Sequence, residues 1–477
     1  MQSHAESVVV GHTVRVDGRK ILRGGRVVSP DGIVDADVSI VGEHIEALGV
    51  GLSGGGEEID VTGRIVIPGF IDSHAHLREP GHTHKEDVLH ATRAAAAGGY
   101  TTVMGMPNVS PPTTSVERYR GVLEIYARDS IVDFNHHPVP TDLAEIPGLA
   151  AAGALGFKAY LISDTSRDYL REPGLALHDH GDLYRAMTAV AATGLPLLVH
   201  PHDQALMGAI EEPYLERGER DFRAYARAYA SHDGIVWDTA SALVIRVAEA
   251  TGTRLHLLHM KTARMIDLVH AAKARGQDVT SEINPVSILL ANDWANVDRV
   301  GPYALSTWTG DGQTEALWEA MSNGTIDVIG TDHAPHTSEE KELGWTDMWK
   351  AAGGLPHLQE TLPLFLTQVG AGRLTLERLV ELGSSGPAKR FGLWPRKGAI
   401  QAGADADLVV VDPAARGVIR DEDVLSKCGW SAWNGWEVVG KPELTFVRGR
   451  VVYRNGAVEG EPGWGRAALR MTDPVDS

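Results

Sequence analysis

Residues 65–79 read Ile65-Val66-Ile67-Pro68-Gly69-Phe70-Ile71-Asp72-Ser73-His74-Ala75-His76-Leu77-Arg78-Glu79. The apolar run predicts a buried strand with two histidines, one residue apart, at its end. Side chains two apart on a strand point to the same side, so both imidazoles can reach one metal ion. Imidazole is the commonest neutral metal ligand and suits zinc and its neighbours. Two such histidines are equally compatible with plain polar residues at a strand end, so the weight rests on whether further ligands stand later in the chain.

Beyond this stretch, apolar runs alternate with helical ones. Strands are predicted over 101–104, 156–161, 197–200, 255–259 and 327–330, and helices over 182–192 and 263–274. Repeated strand-then-helix units imply a parallel sheet. In a chain of 477 residues they favour a (β/α)8 TIM barrel over an open doubly wound sheet. No GxGxxG turn follows an early strand, which weakens a nucleotide-binding alternative. Both ends are instead β-rich, with runs over 8–10, 25–28, 37–41, 45–48, 407–412 and 444–453 and turns at Pro30-Asp31-Gly32 and Asn455-Gly456. The expected organisation is a small β-sandwich domain from both termini (1–66 and 396–477) around a central barrel (67–395).

In a parallel barrel the C-terminal strand ends all open on one face, where active sites lie. His200 ends Leu-Leu-Val-His, His259 ends Leu-His-Leu-Leu-His, and Asp332 follows Val-Ile-Gly-Thr. With His74 and His76 they form a constellation rather than a coincidence. Lys158 lies inside an apolar run, Gly156-Phe157-Lys158-Ala159-Tyr160-Leu161. A buried lysine is costly unless neutralised or paired. Two readings stand: a lysine snorkelling to the rim, or one carbamylated by carbon dioxide into an anionic ligand able to bridge two cations.

Composition narrows the partners. Lys plus Arg number 44 against 63 Asp plus Glu, a formal charge of −19, which argues against nucleic-acid or anionic-membrane surfaces. The single cysteine, Cys428, excludes an intramolecular disulfide and a cysteine metal site, leaving His, Asp and Glu as ligands. Residues 1–11 carry no basic n-region before a long apolar stretch, and no run is long enough to span a bilayer, so a cytoplasmic location is expected.

The chain resembles the amidohydrolase superfamily, and within it the cyclic amidases: dihydroorotase, allantoinase and hydantoinase (dihydropyrimidinase). The matching stretches, in the family's order, run from Pro68 to Gly81, Ala94 to Val103, Met106-Pro107-Asn108, Gly156-Phe157-Lys158, Gly330-Thr331-Asp332-His333-Ala334-Pro335-His336, Gly386-Pro387-Ala388-Lys389 and Gly403 to Leu408. The resemblance implies two divalent metal ions, zinc first, although such ligands also accept manganese, cobalt or iron. It implies that His74, His76, Lys158 and Asp332 hold one ion, and that Lys158, as N6-carboxylysine, bridges to the other, held by His200 and His259. His256 competes with His259, which fits the family's place better as His259-Met260-Lys261-Thr262. Lys261 is a departure, because the family usually has a small hydroxyl residue there.

The implied reaction is hydrolysis of a cyclic amide, with Asp332 as the catalytic base that takes a proton from water and passes it to the leaving ring nitrogen. Arg78, Asn108 and His336 match the residues with which dihydroorotases grip a carboxylate, chemistry suited to a guanidinium and two neutral donors. Against that ring, the family's Asn-Pro-Pro-Leu-Arg and Thr-Pro-His-His segments are replaced by 300–305 and by Glu282-Ile283-Asn284-Pro285-Val286-Ser287, and 349–363 looks nearer to allantoinases and hydantoinases. The expectation is a dihydroorotase-like enzyme with a polar or carboxylate-bearing substrate. The alternatives are an allantoinase, a hydantoinase or another cyclic-imide or lactam hydrolase, and, from a different class, an inactive scaffold relative. Tyr303, Trp308 and Trp345 add aromatic surface, for a pocket or for core and interface. The resemblance also implies a homodimer or homotetramer.

Overall fold

The structure, a computed structural model, describes residues 18–162, 164–166, 169–170, 173–177, 179–290, 293–303 and 312–471. The segment 1–11, with the strand expected over 8–10, and residues 304–305 and Trp308 lie outside the described residues.

The centre is a ring of eight parallel strands: Phe70–Ala75, Tyr100–Gly105, Asp133–His136, Phe157–Tyr160, Leu197–His200, Leu255–Leu257, Val279–Ile283 and Val328–Ile329. The first three pair in chain order, as do the last five. Lys158 N donates to the Pro138 carbonyl at 2.9 Å, joining the third strand to the fourth. His76 N donates to the His333 carbonyl at 2.7 Å, joining the eighth to the first. This is the expected (β/α)8 barrel. Its strands are short apolar runs buried on both faces, as parallel strands must be when helices cover them. Helix Ala263–Ala274 shows how the helices are set: Thr262 caps it by accepting from Met265 N, while Met265, Ile266, Val269 and Ala272 face the core.

A nine-stranded mixed sheet draws on both ends of the chain. Strands Arg19–Ser29, Gly32–Val41, His44–Gly49, Glu57–Asp60 and Ile65–Pro68 meet Leu408–Val418, Glu437–Val447, Arg450–Arg454 and Ala457–Val458. Two details differ from the sequence reading. The run at 65–67 is a sheet strand of its own, paired antiparallel with Leu408–Val418, and a second strand, Phe70–Ala75, carries His74. The break falls at Gly69, whose N–H leaves the ladder to donate to Asp407. The run at 444–453 is two strands folded about Arg448 and Gly449, both at positive φ.

Sheet and barrel meet over a buried ionic cluster. Lys397 Nζ lies 2.6 Å from Asp133 and Asp407 and 3.1 Å from Asp405, all nearly inaccessible to water. Asp133 opens the third barrel strand and Asp407 immediately precedes strand Leu408–Val418, so one ammonium ties the two units together. No helix among the described residues is long and apolar enough to cross a membrane.

Candidate metal centre

The barrel's strand ends bring the six predicted residues to one face. His74 is the fifth residue of the first strand, and His76 lies one residue past its end. Their Nε2 atoms stand 3.1 and 3.3 Å from the same oxygen, Oδ1 of Asp332. Asp332 follows the eighth strand at φ 53°, a left-handed conformation that turns its carboxylate back over the barrel mouth. His259, at φ 38°, follows the sixth strand; its ring centroid is 5.6 Å from that of His74 and 4.5 Å from that of His200. Lys158 is fully buried on the fourth strand, with Nζ 4.7 Å from the centroid of Tyr160. His256 meets this cluster only through Glu282, with Nδ1 2.8 Å from Thr280 Oγ1 and Nε2 3.7 Å from Glu282 Oε2.

The protonation pattern suits cations. Burial lowers the pKa of His74 and His76 to about 3, so both rings are neutral; for His74 the charge of Lys158 adds to the effect. Burial likewise holds His259 well below the ordinary range. His74 Nδ1 lies 2.8 Å from Glu282 Oε1, and His76 Nδ1 lies 2.5 Å from Asn108 Oδ1. Each Nδ1 faces an acceptor and so carries its ring's proton, which leaves the Nε2 lone pairs aimed at Asp332. Three acceptor atoms within 4.8 Å of one another repel unless a cation lies among them. Nδ1 of His259 is also buried without a hydrogen-bond partner among the described residues. The residues therefore fit metal ions.

Two carboxylates hold these ligands, and neither stands out in the sequence. Glu282, at the fourth position of the seventh strand, is fully buried against His74, and burial raises its pKa. Asp72 accepts from Thr331 Oγ1 at 2.6 Å, Thr331 N at 3.0 Å and His74 N at 3.1 Å. Burial lifts Asp72 to about 7, and the bonds from Thr331 and His74 oppose the shift. It thus fastens the first strand to the eighth and sets His74 against Asp332. The one available signal is a charged residue inside a buried strand, which demands a partner.

The three predicted substrate binders divide. Arg78, at φ 61°, donates to His336 Nε2 at 3.0 Å and to the Pro335 carbonyl at 3.2 Å. His336 passes the contact on, with Nδ1 3.1 Å from Glu340 Oε2. Asn108 instead orients His76. Of the aromatic expectations, Tyr303 donates to Glu342 at 2.6 Å and packs edge-on against Trp430, and Trp345, 46% exposed, packs edge-on against Phe222. Lys261, in sequence only a departure from the family's pattern, is 1% exposed, and burial lowers its pKa to about 7.

Comparisons with known proteins agree with this geometry. The sequence pattern of the amidohydrolase family matches residues 65–452. The chain is 36% identical to an allantoinase of Rubrobacter xylanophilus, over 94% of this chain and 95% of that one. It is 34% identical to a dihydroorotase of Geobacter metallireducens, over 91% and 99%. The fold is similar to a solved L-hydantoinase (dihydropyrimidinase) from Arthrobacter aurescens, with a TM-score of 0.89 at 33% identity, covering 94% of this chain and 99% of the other.

Proposed function

Because the chain belongs to the amidohydrolase family, we propose that it is a binuclear metal-dependent hydrolase that opens a C–N bond of a cyclic amide or ureide. The observation that carries the reading is the convergence of the His74, His76 and Asp332 acceptors, with His200 and His259 packed edge-on to each other beside them. In this proposal His74, His76, Lys158 and Asp332 would hold one ion and His200 and His259 the other, with Lys158, once N-carboxylated, able to serve as a ligand to both. Bound there, divalent cations such as zinc would supply Lewis acidity and make water nucleophilic at neutral pH. Asp332 takes the proton of that water at its carboxylate and returns it to the leaving ring nitrogen. Glu282 and Asn108 keep the two imidazoles in the ligating tautomer, and Asp72 keeps the first and eighth strand ends in register.

For the ring, the Arg78–His336 pair supports a polar or carboxylate-bearing substrate, as in a dihydroorotase-like enzyme. The contact with His76 occupies Oδ1 of Asn108 and leaves its Nδ2 as the donor to a ring; the similarity to an allantoinase and to a solved L-hydantoinase supports a ring of those kinds as the second reading. The same proposal assigns 1–66 and 396–477 to a terminal β unit and 67–395 to the barrel, and takes the enzyme to be a cytoplasmic homodimer or homotetramer.

The test is a turnover panel on metal-loaded protein: dihydroorotate, allantoin, dihydrouracil, hydantoins and cyclic imides. At least one ring is expected to open, and Asp332→Asn is expected to abolish that turnover while two metals per chain are retained. Turnover by the metal-replete variant would sink the role of Asp332, and failure of every ring with wild type would sink the reaction.

A further inference from the structure

Lys261 is a buried lysine with no carboxylate at bonding distance among the described residues; the charge of Asp332 reaches it only through space. It lies two residues beyond His259, on the short turn that Met260 N ties to the Glu282 carbonyl at 2.7 Å and that Thr262 ends by capping the next helix. Thr262 Oγ1 in turn donates to Asp238 at 2.5 Å, so the turn is held at both ends and the lysine cannot swing out with it. Its Nζ lies 5.0 Å from the ring centroid of Trp237, and that indole packs edge-on against both His200 and His259. Lys261 therefore belongs to the His200–His259 side of the centre, whereas Arg78 stands with His336 and Pro335 on the His76 side.

The hydrogen bonding of Lys261 is poor. Its bond to Ser287 Oγ is 3.4 Å long, beyond the usual N–H···O range of about 2.7–3.2 Å. Ser287 spends its own proton on Asn284 Oδ1 at 2.7 Å. Three other buried lysines of this chain are treated differently. Lys341 donates to the Ala352 and Gly354 carbonyls at 2.7 and 3.2 Å, Lys85 pairs with Glu340 at 2.6 Å, and Lys397 has three aspartates. An ammonium taken out of water without such partners is strongly unfavourable, so a group that brings negative charge to it binds with a large advantage.

We propose that Lys261 is a specificity-determining residue that receives an anionic substituent of the substrate, so that the preferred ring amides carry an acidic side chain docked on the His200–His259 side. This rests on the hydrolase reading above and narrows its substrate class. The acidic side chain meets Lys261, while the Arg78–His336 pair, in which Arg78 Nε and Nη2 already donate to protein acceptors, is left to polar groups of the ring itself. The small hydroxyl residue usual in the family at this position would offer such an acid no opposite charge.

The test uses a matched pair of hydantoins, one with a carboxymethyl and one with the isosteric, neutral carbamoylmethyl side chain at ring carbon 5. Binding is measured by calorimetry on the metal-loaded full chain in the Asp332→Asn background, where turnover is blocked, and hydrolysis is measured separately with wild-type protein. The acidic ligand is expected to bind about tenfold or more tightly than its neutral partner. Lys261→Gln and Lys261→Ser are each expected to erase that ratio. A ratio near one at the outset, or one that survives both substitutions, overturns the proposal. So does a parallel loss for both ligands, which marks a merely structural lysine, or a ratio abolished by Arg78→Gln alone. If the binding ratio behaves as expected but neither compound is hydrolysed and the wider panel also fails, Lys261 stands and the reaction assignment falls.

Discussion

Replacing Glu282 tests how the protein prepares its ligands. The carboxylate is fully buried and lies 2.8 Å from Nδ1 of His74, itself 1% exposed, so solvent does not screen the pair. Gly330 packs against the carboxylate so closely that a Cβ there would collide with it, which leaves the side chain little freedom to reorient. Glu282→Ala removes the acceptor, frees the ring to rotate and lets the proton move to Nε2, the nitrogen facing Asp332. Loss of such a partner typically costs about 10–100-fold in metal affinity, or about 1.4–2.7 kcal/mol. Glu282→Gln keeps an oxygen for Nδ1–H and loses only the charge, so it belongs near the tenfold end. The assay is competition for zinc against a chromophoric chelator, with melting curves of the metal-loaded variants to exclude gross unfolding. A metal dissociation constant within twofold of wild type for folded Glu282→Ala would refute the claim that this contact prepares His74.

Two further outcomes concern stability. Lys397→Met leaves Asp133, Asp405 and Asp407 buried without their shared cation, and chemical denaturation should show a loss of about 3–5 kcal/mol; a loss under 1 kcal/mol would mean the cluster does not bind sheet to barrel. Glu360, buried at 4% exposure, has its pKa raised to about 7 by burial. The folded state therefore keeps a proton that the unfolded chain releases near its ordinary value of 4.5. Wild-type stability from this group is intact below that value and is lost as pH rises towards about 7. Glu360→Gln should gain on wild type across that window by about 3 kcal/mol, and a difference that does not change with pH refutes the assignment.

Much of this architecture can be read along the chain because barrel strands are local objects. Most are short apolar runs, and the histidine and aspartate ligands stand at or just past the ends of theirs, so the pattern of His200, His259 and Asp332 after apolar stretches carries the barrel mouth within it; Lys158, inside its run, does not follow that pattern. The spacing of His74 and His76 likewise places both rings on one side. The extra strand at Ile65–Pro68 reads as one with the next because hydrophobicity is continuous across Pro68 and Gly69, and only pairing with the C-terminal strand Leu408–Val418 separates them.

What the sequence by itself determined is the set of chemical groups and the barrel face to which they go, since both follow from composition and periodicity. Only the tertiary structure decided which atoms meet. Glu282 lies 208 residues from His74, and Asp72 lies 259 from Thr331. Nothing in the local pattern pairs them, yet these contacts set the tautomers and the strand register. The same holds for His256 and His259, three residues apart, one turned to Thr280 and the other to His200. It holds also for Lys261, an ordinary lysine in the sequence, which closure of the barrel leaves buried beside Trp237 on a long hydrogen bond to Ser287. Hydrogen bonds and charge act over a few ångströms in space, and distance along the chain carries no record of them until the ring of strands closes.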